Sequence, residues 1–241
     1  MSLSSTKFDF EKTATVARLF EVPKADRGGD WQKQLLSVIG DASMAAPPEQ
    51  TLQGPDGHRY FVLLVPDPGA TIEPFCVSHV MDFCLERGMG VVFNPFREDG
   101  PDWIVTFGDL WTLRQTGSLM PPPEAFSVPA GGSTEKIDRG FYGHIGAPSD
   151  DFLPSFARSA LRSYLKNWNI FRDREPKVAA IVDNSAKPDR NLTFNIFPQD
   201  FPDQRSFEEA MHDLRWFLPK DRGLISLSGS VDPTVEKLEA L

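Results

Sequence analysis

The sequence predicts an α/β fold of the α+β kind: two small mixed-sheet modules with helices packed on the sheets. Three observations predict it. A strand–helix–strand order runs from His58 to Pro95, and an α-β-β-α-β order runs from 151 to 228. Between them, residues 117–148 hold six glycines and five prolines, including Pro121-Pro122-Pro123. That composition suits a linker or a long docked loop. The modules are therefore placed at 1–120 and 150–241, joined by 121–149.

In the first module, residues 6–20 read as a short, weakly patterned helix. Asp30 is the expected N-cap of a second helix through Ile39. Leu35, Leu36, Val38 and Ile39 supply its apolar side, and Gly40 ends it. A loop, "AAPPEQTLQGPDG", carries the turn signal Asp56-Gly57. The β-rich run "HRYFVLLV" then reads as a strand that stops at Pro66, Pro68 and Gly69. The next helix is expected over Phe75–Arg87, where Val77, Val80, Met81 and Cys84 recur at helical spacing, and Gly88 closes it. "MGVVFNP" follows as a short buried strand. "WIVTF", residues 103–107, is a further strand with Trp103, Val105 and Phe107 on one side.

In the last module, residues 151–168 are amphipathic. Phe152, Phe156, Ala160, Leu161, Tyr164, Leu165 and Trp168 make one broad apolar face. "KVAAIVD" and "NLTFNIF" are strands joined by the turn-rich "NSAKPDR". Ser206 to Glu209 matches a capping box. It opens a helix with Phe207, Ala210, Met211, Leu214, Phe217 and Leu218 inward, stopped by Pro219 and Gly223. "GLISLSG" is the last strand.

The chain has 241 residues, 40% of them hydrophobic and 24% charged, with a formal charge of −9. It is long enough to bury a core without metals or disulfides. Residues 1–150 carry 12 basic and 20 acidic side chains, net −8; residues 151–241 carry 13 and 14, net −1. The acidic balance disfavours non-specific contact with DNA or anionic lipid. Cys76 and Cys84 lie two helical turns apart, too far for a disulfide, and read as reduced core thiols. The first twenty residues lack the apolar stretch of a signal peptide, and no run is long enough to span a bilayer. The expectation is a soluble, cytoplasmic protein with no membrane partner.

The outline "LPSFARSALRSYLKNWNIFRDREPKVAAIVDN", then "NLTFNIFPQDFPDQRSFEEAMHDLRWFLP", then "GLISLSG" resembles the C-terminal domain of the SseB family, the enhanced serine sensitivity proteins. "HRYFVLLVPD" through "GVVFNP" is faintly similar to that family's N-terminal domain. The resemblance implies an accessory or interaction protein, and it transfers no catalytic residues.

The chemistry-bearing motifs are sparse. No two glycines stand four apart, so a G-x-S-x-G elbow is missing. G-x-x-x-x-G-K-[ST], G-x-G-x-x-G, C-x-x-C and H-E-x-x-H are missing as well. There are four histidines. His79, Asp82 and Glu86 could share a helix face, but the amphipathic pattern explains them without a metal. His58 and His212 carry no partner signal.

Two segments are candidate sites. Residues 138–151 bring Arg139, Tyr142 and His144 among glycines, in the manner of ligand-holding loops. Trp103 and Trp111 bracket Asp109 in "PDWIVTFGDLW" and could form an aromatic platform for a partner. The competing reading makes Asp109 a helix cap. A basic stripe, Arg158, Arg162 and Lys166, lies along the 151–168 helix. It reads as a solvated face, and nucleic acid is not the expected partner.

The leading reading is a non-enzymatic cytoplasmic accessory or protein-interaction protein, pairing with another protein or with itself. The alternative is an enzyme or small-molecule binder whose site joins the 138–151 loop to Trp103 and Trp111. The motifs weigh against enzymatic chemistry and leave the question open. No cofactor and no metal are called for.

Overall fold

In a computed structural model of the chain, the described residues are 8–120, 143–183, 190–229 and 233–241. They form six α-helices and two mixed sheets, of four and five strands, which is an α+β architecture. The chain divides into two units, Met1–Pro121 and Pro122–Leu241.

The first unit begins with α1 (Phe10–Phe20) and α2 (Gly29–Val38). Asp9 caps α1, its carboxylate accepting from the amides of Glu11 and Lys12. The α2 cap is Gly28 rather than Asp30, which lies in the first helical turn. There its negative charge favours the helix without closing it.

The sheet of this unit runs β1 (Thr51–Gln53), β2 (Arg59–Leu63), β3 (Met89–Phe93), β4 (Trp103–Val105). The β2–β3 pair is parallel, and its crossover is α3 (Val77–Arg87). The outer pairs are antiparallel. Every residue of β3 is buried, as a central strand covered on both faces requires. Gly88 ends α3 at φ 65°, a left-handed conformation that glycine adopts without strain.

Residues 103–107 are not one strand. β4 stops at Val105, and α4 (Phe107–Thr116) starts two residues later. Thr106 makes the switch, because its hydroxyl accepts from the Asp109 amide and a helix can begin there. Phe107 is therefore a helical core residue, fully buried with Leu110 and Trp111.

In the second unit the sheet contains β5 (Gly143–Gly146), β6 (Lys177–Asp183), β7 (Arg190–Phe194), β8 (Gly223–Ile225) and β9 (Glu239–Ala240). β5 pairs with β6 at 180–183 and β9 pairs with it at 177–178, while β7 takes the other edge. β7 and β8 are parallel, connected through α6 (Gln204–Arg215).

The sequence outline lacks both β5 and β9, and it assigns 143–146 to the connecting segment. Two- and four-residue strands on a sheet edge are held by ladder hydrogen bonds, not by a hydrophobic repeat, so periodicity does not show them. α5 spans Ser155–Leu165, shorter than the 151–168 pattern, because Pro154 stands at its N-cap. α6 opens at Asp203, whose carboxylate accepts from Ser206; the Ser206 to Glu209 capping box is not formed. Ser206 is already the third helical residue.

The core of this unit includes Val178, Leu192, Phe194, Leu161, Leu165, Phe207 and Leu214, all buried. Ala179, Phe197, Leu227 and Leu238 form a second buried cluster, with Ile145 and Val235 packed on it.

Candidate functional site

Among the described residues one carboxylate is buried, that of Asp102, and the polar centre of the first unit is built around it. The need arises at the end of α1. A helix leaves its last carbonyls without partners inside the helix. Here they are collected by side chains from elsewhere. Trp31 Nε1 donates to the Leu19 carbonyl at 2.8 Å, and Arg27 Nη2 to the Phe20 carbonyl at 2.9 Å. Arg27 Nε donates to Val22 O at 2.9 Å, and Arg97 Nη1 reaches Phe20 O at 3.3 Å.

The same guanidiniums meet Asp102. Arg27 Nη1 donates to the Asp102 backbone carbonyl at 2.7 Å, and Nη2 to its carboxylate at 3.0 Å. Arg97 Nη1 donates to that carboxylate oxygen, also at 3.0 Å. Asn94 Nδ2 takes the other oxygen at 2.8 Å. Asn94 in turn accepts from the Val65 amide through its own side-chain oxygen. A buried charge needs this degree of pairing, because an isolated one costs far more than a single ion pair returns. Asn94 stands at φ 46°, a left-handed position that Asn tolerates better than most residues.

The segment 94–102 that carries these groups is the β3–β4 connection. Its far end is fixed too. Lys24 Nζ donates to the Asp99 and Gly100 carbonyls and lies 3.3 Å from the Asp99 carboxylate. Gly100 turns at φ 84°. The loop is thus tied at its start to Val65 through Asn94, and at its far end to the α1–α2 connection through Lys24 and Arg27. It presents Phe96, whose side chain is 75% exposed.

Beside this loop lies an open cleft of about 400 Å³, lined by Lys24, Arg27, Trp31, Gln32, Pro101 and Trp103 among others. The Trp31 and Trp103 rings meet edge to face at 5.5 Å and 60°. The Arg27 guanidinium sits 4.8 Å over the Trp31 ring, so a cation–π contact adds to its hydrogen bonds.

The expected site residues are distributed as follows. Trp103 is half-buried in β4 and lines the cleft. Trp111 is fully buried in α4 and offers no platform to a partner, which corrects that expectation. Asp109 does not cap the helix itself. Thr106 is the cap, and the Asp109 carboxylate returns a bond to the Thr106 amide at 3.1 Å, completing a capping box. Both Asp109 and Trp111 are therefore accounted for by the fold.

Arg139 and Tyr142 lie outside the described residues, and His144 belongs to β5, in register with Val182. In the basic stripe, Arg158 is turned back on its own chain, donating to the Leu153 and Pro148 carbonyls. Arg162 and Lys166 are exposed. His79 does not face a carboxylate pair. It sits against Phe8 at 5.3 Å and Phe75 at 6.0 Å, while Asp82 pairs with Arg114. His58 is buried and His212 exposed.

Sequence reasoning missed Arg27, Asn94, Phe96, Arg97 and Asp102. The signal available was local: four of the six residues 97–102 are charged, an unusual density between two buried strands. Their partners lie some 75 residues away in sequence, beyond any periodic pattern.

No helix among the described residues is long and apolar enough to cross a membrane. No family model, no curated protein and no solved structure matches this chain.

Proposed function

We propose that this is an SseB-like cytoplasmic accessory protein that acts by binding another protein chain through the β3–β4 loop. One observation carries the reading. Phe96 is the most exposed large apolar side chain among the described residues, and it stands on a loop braced at both ends. A rigidly held aromatic ring in solvent is a poor arrangement for stability and a good one for recognition. Binding then costs little ordering entropy, and the ring supplies apolar area to a partner's pocket. The polar groups of the site support the same reading. Arg27, Arg97 and Asn94 hold backbone carbonyls and one carboxylate, instead of converging on an open reaction centre.

The test is photo-crosslinking in cells with a benzophenone side chain at position 96. The comparison is the same group at Lys33, an exposed position on α2. A discrete adduct from position 96 and none from position 33 is the expected result. Equal, diffuse labelling from both positions would remove the support for the loop as an interaction site.

A further inference from the structure

We infer that Asp99–Gly100, in the β3–β4 loop, is a self-modification site, whose peptide bond rearranges to the isoaspartyl form in the folded protein. The inference concerns the chemistry of the loop and does not rest on the interaction reading above.

Aspartate followed by glycine is the pair at which this rearrangement meets least hindrance, because glycine has no Cβ to shield its amide nitrogen. The glycine nitrogen attacks the Asp Cγ. An N–Cγ bond forms, a Cγ–O bond breaks, and the amide proton and the carboxyl hydroxyl leave as water. Water then opens the cyclic imide at either carbonyl. Opening at Cγ restores aspartate. Opening at the former peptide carbonyl leaves isoaspartate, with the chain running through the side chain. One water is lost and one is gained, and nothing is oxidised or reduced.

The sequence holds two such pairs, Asp56–Gly57 and Asp99–Gly100. Their backbones are alike. The glycines stand in the left-handed region at φ 79° and 84°. Each amide donates to the carbonyl three residues back at 3.0 Å, Gly57 to Gly54 and Gly100 to Arg97.

The carboxyls differ. Asp56 Oδ1 accepts from the His58 amide at 3.0 Å, and Oδ2 from the Tyr60 hydroxyl. Gly54 leaves room for this, since a Cβ there would lie 2.5 Å from Asp56 Oδ1. The Asp56 carboxyl is thus folded over its own turn with both oxygens bonded. The Asp99 side chain is 62% exposed and lies 3.3 Å from Lys24 Nζ. Attack on Cγ requires the carboxyl to leave its partners and swing toward the next nitrogen. Two hydrogen bonds hold Asp56 back about tenfold or more. An exposed ion pair holds Asp99 back less than about fivefold.

The product alters the loop. Lys24 Nζ donates to the Asp99 and Gly100 carbonyls. In the isoaspartyl form the first becomes a free carboxylate, and an added methylene in the chain displaces the second. Neither group stays where Lys24 now meets it.

The experiment incubates the full chain in oxygen-18 water at mildly acidic pH, folded and in urea. Each passage through the imide places one solvent oxygen in the product. Peptide mass spectrometry after digestion in ordinary water therefore reads each site, and enzymatic carboxyl methylation identifies the isoaspartyl form. Each site's rate in urea is its own reference. On folding, Asp99 is expected to keep its rate to within about fivefold, and Asp56 to fall about tenfold or more. Tyr60→Phe removes the hydroxyl bond and keeps the ring, so it should raise the Asp56 rate in the folded chain.

Labelling at Asp99 that stops on folding overturns the inference, as does Asp56 labelling retained to the same extent as that at Asp99. A Tyr60→Phe chain shown to be folded by circular dichroism, yet with an unchanged Asp56 rate, overturns it too, because carboxyl bonding would then not decide which pair reacts.

Discussion

Arg27 holds Asp102 twice, through the backbone carbonyl at 2.7 Å and through the carboxylate at 3.0 Å. The two residues lie 75 positions apart. The pair joins the α1–α2 connection to the start of β4. It fixes the loop between β3 and β4 in one geometry, and that loop carries the proposed binding ring.

The Asp102 carboxylate is fully enclosed and the Arg27 side chain nearly so. Truncating Asp102 to Ala leaves a buried guanidinium without its counter-charge. Removing one partner of such a pair costs about 3–5 kcal/mol. Urea unfolding of Asp102→Ala should show a loss of that order. Arg27→Met combined with Asp102→Leu should recover part of it only, because Arg27 also holds the Phe20 and Val22 carbonyls. A loss below about 1 kcal/mol, the size of a surface pair, would show that the network does not secure the loop.

Thr106 is the point where β4 becomes α4, and its hydroxyl and the Asp109 carboxylate bond each other's backbone amides. Thr106→Ala should cost about 1 kcal/mol. Amide exchange should quicken first in the opening turn of α4. Unchanged exchange there would mean that tertiary burial of Phe107 and Trp111, not the box, sets the helix start.

The elements with strong local signals were legible in the sequence. α3 ends at Gly88 because its left-handed position is written in the residue itself, and β2 and β3 announce themselves as apolar β-rich runs. The misses share a physical cause. Asp203 rather than Ser206 caps α6: two acceptable caps stand three residues apart, and the first takes the role, its carboxylate accepting from the Ser206 amide, so the sequence pattern alone does not choose between them. β5 and β9 are too short to carry a period. The Asp102 network is non-local, assembled from side chains that the fold alone brings together. Trp111 looked available because a tryptophan beside a turn often is, yet α4 turns it wholly inward.

Asp203 makes a pH prediction. Its carboxyl is held below the usual carboxylate value, first by the Ser206 backbone amide and then by the Ser206 side chain. A depressed native value means that the cap contributes fully above the unfolded value, about 3.9. The contribution disappears as pH falls through the lower native value. The Ser206 amide resonance should therefore titrate below the ordinary range. Asp203→Asn, which can cap without ionising, should remove that titration while leaving α6 intact. A Ser206 shift with a midpoint at or above about 3.9 would contradict the bond.

Cys84 gives the opposite sign. Burial pushes its thiol up to about 12, with the nearby Arg87 charge pulling weakly the other way. Cys76 is buried as well, and neither residue is in a disulfide. The native protein should be inert to a thiol reagent at neutral pH, and the denatured chain should release two thiols. Alkaline stability follows from the same shift. The unfolded thiol ionises from about pH 8.5, whereas the native one stays protonated to about 12. The Cys84 contribution is thus whole below the unfolded value and erodes as pH rises through that window, by at most about 1.4 kcal/mol per pH unit. Stability curves for wild type and Cys84→Ala should run parallel near neutral pH and converge above about pH 9 as the wild type loses its advantage. Native-state labelling of Cys84 at neutral pH, or curves that stay parallel into alkali, would refute the assignment of that thiol to the closed core beneath α3.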